Sequence, residues 1–205
     1  MQALIQLSIA GLAFLAGLSV GFAAWAEYAV PDIGIRFPDR LASFELWKGE
    51  KYPESALGHG VEYRAPGFAG SVYVYRGGNP SVPDGVTNNL VRSEFAKARG
   101  DIAALAKIKG DPEPERVGEQ PVKAAGIEFL TATYRMQRND RAVTSLVGMT
   151  GARGHFIKLR VSVPSAGTVP VTDEIYAFIA AVARLLAKSS SAIDGFPVMA
   201  TTSAR

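Results

Sequence analysis

IEFLTATYRMQ, residues 127–137, and RAVTSLVGM, residues 141–149, are two extended runs separated by the dipeptide Asn139-Asp140. We predict a β-strand for each run, because both are rich in residues that favour strands. A two-residue Asn-Asp connection can adopt the positive φ angles of a type I′ turn. The sequence therefore predicts an antiparallel hairpin, from which the rest of the sheet extends.

Another strand is predicted after the hairpin, from His155 to Val163. Its odd-numbered residues from 157 onward are apolar, whereas Phe156, Lys158 and Arg160 share the opposite side, because successive strand side chains point to opposite faces. The connecting stretch 148–154, GMTGARG, resembles a glycine-rich phosphate loop. Because no helix follows it, we predict a turn there and no phosphate site.

Four shorter strands are predicted in the first half of the chain, where Val, Tyr and Phe alternate with polar or small residues. Turn-forming pairs such as Pro66-Gly67 and Gly77-Gly78 separate them. The four are Ile33–Phe37, Phe44–Trp47, Val61–Arg64 and Ser71–Arg76. Such alternation is typical of antiparallel strands, and a fifth short strand is expected at Arg116–Gly118.

Two segments have helical periodicity instead, with apolar residues three or four positions apart. The first spans about 84–109, with Asp84 as the expected N-cap and Gly110 after its end. The second spans about 171–188. The apolar stripes are Val91, Phe95, Ala98, Ile102, Leu105 and Ile108 in the first, and Ile175, Phe178, Ile179, Val182, Leu185 and Leu186 in the second. We expect each helix to pack one side on the sheet.

These elements predict an α+β fold, an antiparallel β-sheet flanked by helices in an α/β/α sandwich. We expect one domain over residues 27–188, because a chain of this length buries enough surface for one core. Residues 189–205 show no periodicity, and we expect a mobile tail there.

Residues 1–26 carry no charged side chain and end in Ala24-Trp25-Ala26. An apolar run closed by small residues is the pattern of a signal peptide, so we expect cleavage between Ala26 and Glu27. Export to the periplasm or the extracellular space follows. The alternative is an uncleaved anchor, since about 20 apolar residues can span a bilayer. In that case the N-terminal segment would be the protein's only membrane contact.

Composition excludes several classes of protein. The chain has no cysteine, which excludes a lipid-anchored lipoprotein and disulfide cross-links. Its 22 basic and 19 acidic side chains give a net charge of +3, and the two signs alternate along every segment. Because a nucleic-acid binder concentrates its basic residues on one surface, we expect no nucleic-acid partner.

No motif for catalysis, cofactor binding or metal binding is present. The two histidines, His59 and His155, lie in no zinc-ligand spacing, and we expect them at a surface or a strand end. No Gly-x-Ser-x-Gly motif occurs. We therefore expect a non-catalytic binding or accessory domain without cofactors. The alternative is an extracytoplasmic hydrolase assembled from distant residues, with His59 or His155 as its base.

One set of residues has the chemistry of a binding surface. Cations and aromatic rings on the predicted strands could bind an anionic ligand or partner; they are Arg64, Lys158, Arg160, Tyr73 and Tyr75. The alternative is that carboxylates such as Glu62 and Glu128 pair with the cations across the sheet. The expected partner is an envelope protein or a small anionic ligand.

The order of elements, with Ala125-Gly126-Ile127 before the long hairpin and Phe156–Arg160 before the last helix, resembles the PsbP-like α/β/α sandwich superfamily. The resemblance covers about Ile33 to Lys188. It implies an exported accessory or assembly factor rather than an enzyme, and it transfers no functional residue. Many bacterial members are lipoproteins, so the missing cysteine is a departure that puts a membrane-tethered role in doubt.

Overall fold

Two helices and ten strands make up the computed structural model, which describes residues 27–138, 141–164 and 173–188. The strands are β1 Glu27–Val30, β2 Ile35–Pro38, β3 Arg40–Leu41, β4 Phe44–Lys51, β5 His59–Ala65, β6 Phe68–Tyr75, β7 Glu115–Ala124, β8 Ile127–Arg138, β9 Arg141–Ala152 and β10 His155–Pro164. The helices are α1 Asn89–Lys109 and α2 Asp173–Lys188. The predicted signal peptide with its cleavage site, the Asn139-Asp140 turn, residues 171–172 and the C-terminal tail lie outside the described residues.

Eight of the strands form one antiparallel sheet in the order β3-β4-β5-β6-β10-β9-β8-β7. The predicted pairing of β8 with β9 is confirmed, with Leu130 opposite Met149 and Arg135 opposite Thr144. Strand β10 lies between β9 and β6 and joins the two halves of the sheet. The predicted antiparallel sheet with flanking helices is therefore confirmed.

Two strand predictions need correction. The segment Ile33–Phe37 does not join the main sheet: its residues from Ile35 onward form β2, which pairs with β1 in a separate two-stranded sheet. The short strand expected at Arg116–Gly118 is part of the ten-residue edge strand β7. Because most residues of β7 are exposed, burial imposes no alternation on its sequence.

The start of α1 also differs from the prediction. Asn88 is the N-cap, since its Oδ1 accepts a hydrogen bond of 2.9 Å from the Val91 N–H. Asp84 instead accepts a 2.7 Å hydrogen bond from the Arg153 N–H. The predicted end is confirmed, with Gly110 at φ 72°. Ile108 is 62% exposed, so the buried stripe of α1 ends at Leu105 and Ala106.

The glycine-rich stretch 148–154 is a turn only at Arg153-Gly154, because Gly148 and Gly151 belong to β9. Gly151 exchanges two backbone hydrogen bonds with Gly85, of 3.1 and 2.8 Å. A Cβ atom at residue 151 would lie 2.0 Å from the Pro83 carbonyl oxygen. Glycine is therefore required here by the close approach of a loop.

The sheet has a core on each side. The α2 face is the side that packs against α2 and the β1–β2 hairpin, and its strand residues include Val61, Val72, Ile157, Leu159 and Val161. The α1 face packs against α1 through Tyr75, Val147, Met149 and Phe156, among others. No helix in the described parts of the chain is long and apolar enough to cross a membrane.

Candidate functional site

The α1 face carries both a core and a row of charged groups. Helix α1 covers Phe156, Val147 and Met149 with its apolar stripe. Beside that core, strand pairing places Lys158 opposite Tyr73. The odd-numbered residues of β10 face α2, so Lys158 points toward the α1 side by strand alternation. This is where the sequence predicted a binding surface.

Lys158 contacts two of the predicted residues. Its ammonium lies 4.8 Å from the ring centroid of Tyr73 and 5.5 Å from that of Tyr75. Attraction between a cation and an aromatic face stabilises this arrangement. Within the described residues, Lys158 forms no ion pair with a carboxylate. The Glu62 and Glu128 pairing that the sequence left open is not formed at Lys158.

Burial lowers the pKa of Lys158 to about 8 from an ordinary value of 10.5. Repulsion by Arg160 adds to this effect, whereas the charges of Asp101 and Glu94 oppose it. An ammonium whose pKa is lowered in this way has lost more favourable hydration than its surroundings replace. Lys158 is therefore a partly desolvated cation at the edge of α1.

Helix α1 supplies two carboxylates to this region. Glu94 accepts a 2.8 Å hydrogen bond from the Tyr75 hydroxyl and forms an ion pair of 3.6 Å with Lys97. Asp101 lies two turns further along the helix, and burial raises its pKa. We define the Lys158 cluster as Tyr73, Tyr75, Lys158, Glu94 and Asp101.

Arg160 and Arg64 lie on the same face outside this cluster. The Arg160 Nε donates to Ser145 Oγ over 3.3 Å. The Arg64 guanidinium stacks over the Trp47 ring, 3.6 Å from its centroid. Burial lowers the pKa of Arg64 and raises that of Glu62. The structure thus brings three of the five predicted residues into contact and places the two arginines nearby on the sheet.

Sequence reasoning missed Glu94, Asp101 and Trp47. Glu94 and Asp101 are seven positions apart, a spacing that places them on one side of a helix. That spacing could have shown that the two carboxylates lie on the same side of the helix. It cannot show which strand of the sheet this side of the helix faces. Trp47 lies where the pairing of β4 with β5 shifts register between Leu46 and Lys48, and the sequence shows no marker for this bulge.

The two histidines begin strands β5 and β10, in agreement with the prediction of a strand-end position. Both side chains are buried, with 4% exposure each. His59 Nε2 donates to Asp32 Oδ2 over 3.0 Å, and its Nδ1 lies 3.0 Å from the Tyr28 hydroxyl. The hydrogen bond from His59 lowers the pKa of Asp32. His155 receives a 3.0 Å hydrogen bond from Arg76 Nε.

Neither histidine forms a hydrogen bond with a serine among the described residues. The same residues contain no group of three or more histidine, aspartate or glutamate side chains that could hold a metal ion. His59 is thus hydrogen-bonded to a carboxylate on one side and to a tyrosine hydroxyl on the other, and in the described residues neither histidine is aligned with a serine.

No family model and no curated protein matches the chain. Among solved structures it is similar to cyanobacterial PsbP (CyanoP) from Synechocystis sp. PCC 6803, with 16% identity over 85% of this chain and 95% of that one and a TM-score of 0.42. It is also similar to PA94, a protein of unknown function from Pseudomonas aeruginosa, with 10% identity over 83% and 94% of the two chains and a TM-score of 0.34. The first of these structures is a PsbP protein, and PsbP also gives its name to the superfamily that the sequence resembles.

Proposed function

We propose that the protein is an exported, non-catalytic binding domain that acts in the periplasm or outside the cell. Its Lys158 cluster binds an anionic group, carried by an envelope protein or by a small ligand. The observation that carries this proposal is the position of Lys158, a partly desolvated cation between Tyr73 and Tyr75 with no ion-pair partner among the described residues.

The chemistry of the Lys158 cluster supports binding over a purely structural role. A partly buried ammonium that is protonated at neutral pH lowers the stability of the fold, and an apolar side chain of similar volume would avoid that cost. A bound carboxylate or phosphate would form a charged hydrogen bond with the ammonium and so replace the hydration that the ammonium has lost. Perturbed titratable groups concentrated in one place are typical of functional sites.

Export is supported by residues 1–26, which carry no charge and end in small residues before Glu27. N-terminal sequencing of the protein from its native host tests this part of the proposal. Mature protein that begins at Glu27 is the expected result. Retention of Met1 in a membrane fraction would contradict it.

The binding part is tested by capture of envelope proteins and anionic metabolites on the wild type and on the Lys158→Ala/Arg160→Ala variant. A Lys107→Ala/Lys123→Ala variant is the matched control, since it removes the same charge from exposed positions outside the Lys158 cluster. We expect salt-sensitive capture that is lost only in the first variant. Equal capture by all three proteins, each folded by circular dichroism, would contradict the proposal.

The second candidate function is a hydrolase, favoured by the hydrogen bond between His59 and Asp32. A histidine aligned by a carboxylate is the base of many hydrolases. Assays with p-nitrophenyl esters on the wild type and on His59→Gln test this candidate. Turnover above the buffer rate that His59→Gln abolishes would favour the enzyme, and identical rates would exclude this use of His59.

A further inference from the structure

A second polar site lies outside the Lys158 cluster, in a cleft of about 420 Å³ at one end of the sheet. Its walls come from the turn before β2, the segment between β4 and β5, and the turn after β6. The polar side chains that line it are Asp32, Lys51, Ser55, Arg76, Asn79 and His155. Its volume is within the range of small-molecule sites, about 300–1,000 Å³.

The Arg76 guanidinium is fixed in this cleft by two contacts. Its Nε donates to His155 Nε2 over 3.0 Å, and its Nη1 donates to the Pro80 carbonyl over 3.2 Å. Because Nε2 accepts, the His155 ring carries its proton on Nδ1, which donates to the Arg153 carbonyl over 2.8 Å. A buried imidazole therefore orients the guanidinium, while Nη2 donates to no described residue.

The charge in the cleft is unbalanced. Arg76 and Lys51 are both exposed, and neither forms an ion pair within the described ranges. Asp32 is the carboxylate of the cleft, and its Oδ2 is already engaged by His59. Among the described residues that line the cleft, two cations thus face one carboxylate, which already has a hydrogen-bond partner.

We propose that this cleft is an anion-binding site for a small oxyanion, a carboxylate or a phosphate, which Arg76 binds through its open edge and Lys51 through its ammonium. Holding the guanidinium before the ligand arrives reduces the entropy lost on binding. Planar guanidinium groups match the geometry of carboxylate and phosphate oxygens. His155 is a positioning residue for Arg76.

Titration of the full-length, isotope-labelled protein with inorganic phosphate and, separately, with citrate tests the proposal. The observed signal is the Arg76 Nε–H resonance, which its hydrogen bond to His155 protects from exchange with water. We expect a saturable shift with at least one probe and none with sodium chloride at equal ionic strength. A shift with phosphate alone or citrate alone assigns the ligand class. No saturable shift with either probe overturns the proposal.

Variants separate this site from the proposed Lys158 cluster. Their binding is followed by the backbone amide of Asn79, which lines the cleft and reports on the cleft alone. Arg76→Gln/Lys51→Gln should weaken phosphate or citrate binding at this signal at least tenfold, whereas Arg141→Gln/Lys123→Gln, which removes equal charge elsewhere, should leave it unchanged. Equal loss in the Arg141→Gln/Lys123→Gln control would identify nonspecific attraction and overturn the site. If the Arg76 variant does not fold, the wild-type titration decides alone.

Discussion

The two faces of the sheet are built from alternate residues of the same strands, yet they differ in chemistry. Under α2 the strands contribute aliphatic and aromatic side chains, and Phe178 packs between Phe44 and Tyr63 at centroid distances of 4.8 and 5.8 Å. Under and beside α1 the strands contribute tyrosines and the partly desolvated Lys158. The core on the α2 face is built from apolar and aromatic side chains, whereas the α1 face also retains a charge at a cost in stability.

The largest effect is expected on the α2 face. Phe178→Ala should lower the free energy of unfolding by about 3–5 kcal/mol, because it removes a fully buried ring and leaves a cavity. Tyr176→Ala on the same helix is the control, since Tyr176 is 37% exposed. Urea denaturation measures the free energy of unfolding of both variants. Equal losses for the two variants would show that the α2 face is not the main core.

A loop contact near the α1 face should give the next largest effect. Gly151→Ala should lower the free energy of unfolding by about 3 kcal/mol, because the new methyl group overlaps the Pro83 carbonyl. At Gly148, in the same strand, a Cβ would lie 3.5 Å from Leu159, an ordinary contact. Gly148→Ala is therefore the control, and thermal unfolding compares the two variants. A similar loss of stability in both would refute the close contact between Gly151 and the Pro83 carbonyl.

Lys158→Met should stabilise the protein at pH 7 by about 2 kcal/mol, because it removes a partly desolvated charge. The pKa of Lys158 is about 8 in the folded state and 10.5 ordinarily. Between these values the unfolded chain binds a proton that the folded chain does not, so wild-type stability rises with pH. The advantage of the variant should therefore shrink from pH 8 to 10.5.

Urea denaturation of the wild type and Lys158→Met at several pH values measures this difference. Lys107→Met, at an exposed position on α1, controls for the loss of a charge. A Lys158→Met variant that is less stable than the wild type at pH 7 would show that Lys158 contributes to the core, which would remove the contrast between the two faces.

The smallest effect concerns the start of α1. Asn88→Ala should cost about 1 kcal/mol, because the Val91 N–H loses its acceptor. Amide exchange should accelerate in the first turn of α1 and remain unchanged in α2. The matched comparison is Asp84→Ala, which the sequence alone favoured as the N-cap variant. Faster exchange in α1 for Asp84→Ala than for Asn88→Ala would reverse the assignment.

Periodicity predicted most of the fold because burial on one side leaves a repeating pattern. The stripes of both helices and the strand from His155 to Val163 are examples. Strand β7 was underestimated because an exposed edge strand carries no such pattern. The alternation at Ile33–Phe37 predicted a strand, but it could not show which sheet that strand joins.

The candidate site was predictable only in part. Alternation along β10 placed Lys158 and Arg160 on one side, as the structure has them. The contact with Tyr73 depends on pairing between β6 and β10, which are separated by α1 and three strands in the sequence. The cleft at Arg76 depends on a hydrogen bond to His155, a partner 79 positions away. No local pattern records such distant contacts.

A side-chain NMR titration of Lys158 tests most directly the claim that the α1 face holds a partly desolvated charge. The Lys158 Cε signal is assigned by its absence in Lys158→Met, and its chemical shift is followed from pH 6 to 11. We expect a pKa of about 8. A pKa near the ordinary 10.5 would mean that Lys158 is fully hydrated, and it would contradict the claim.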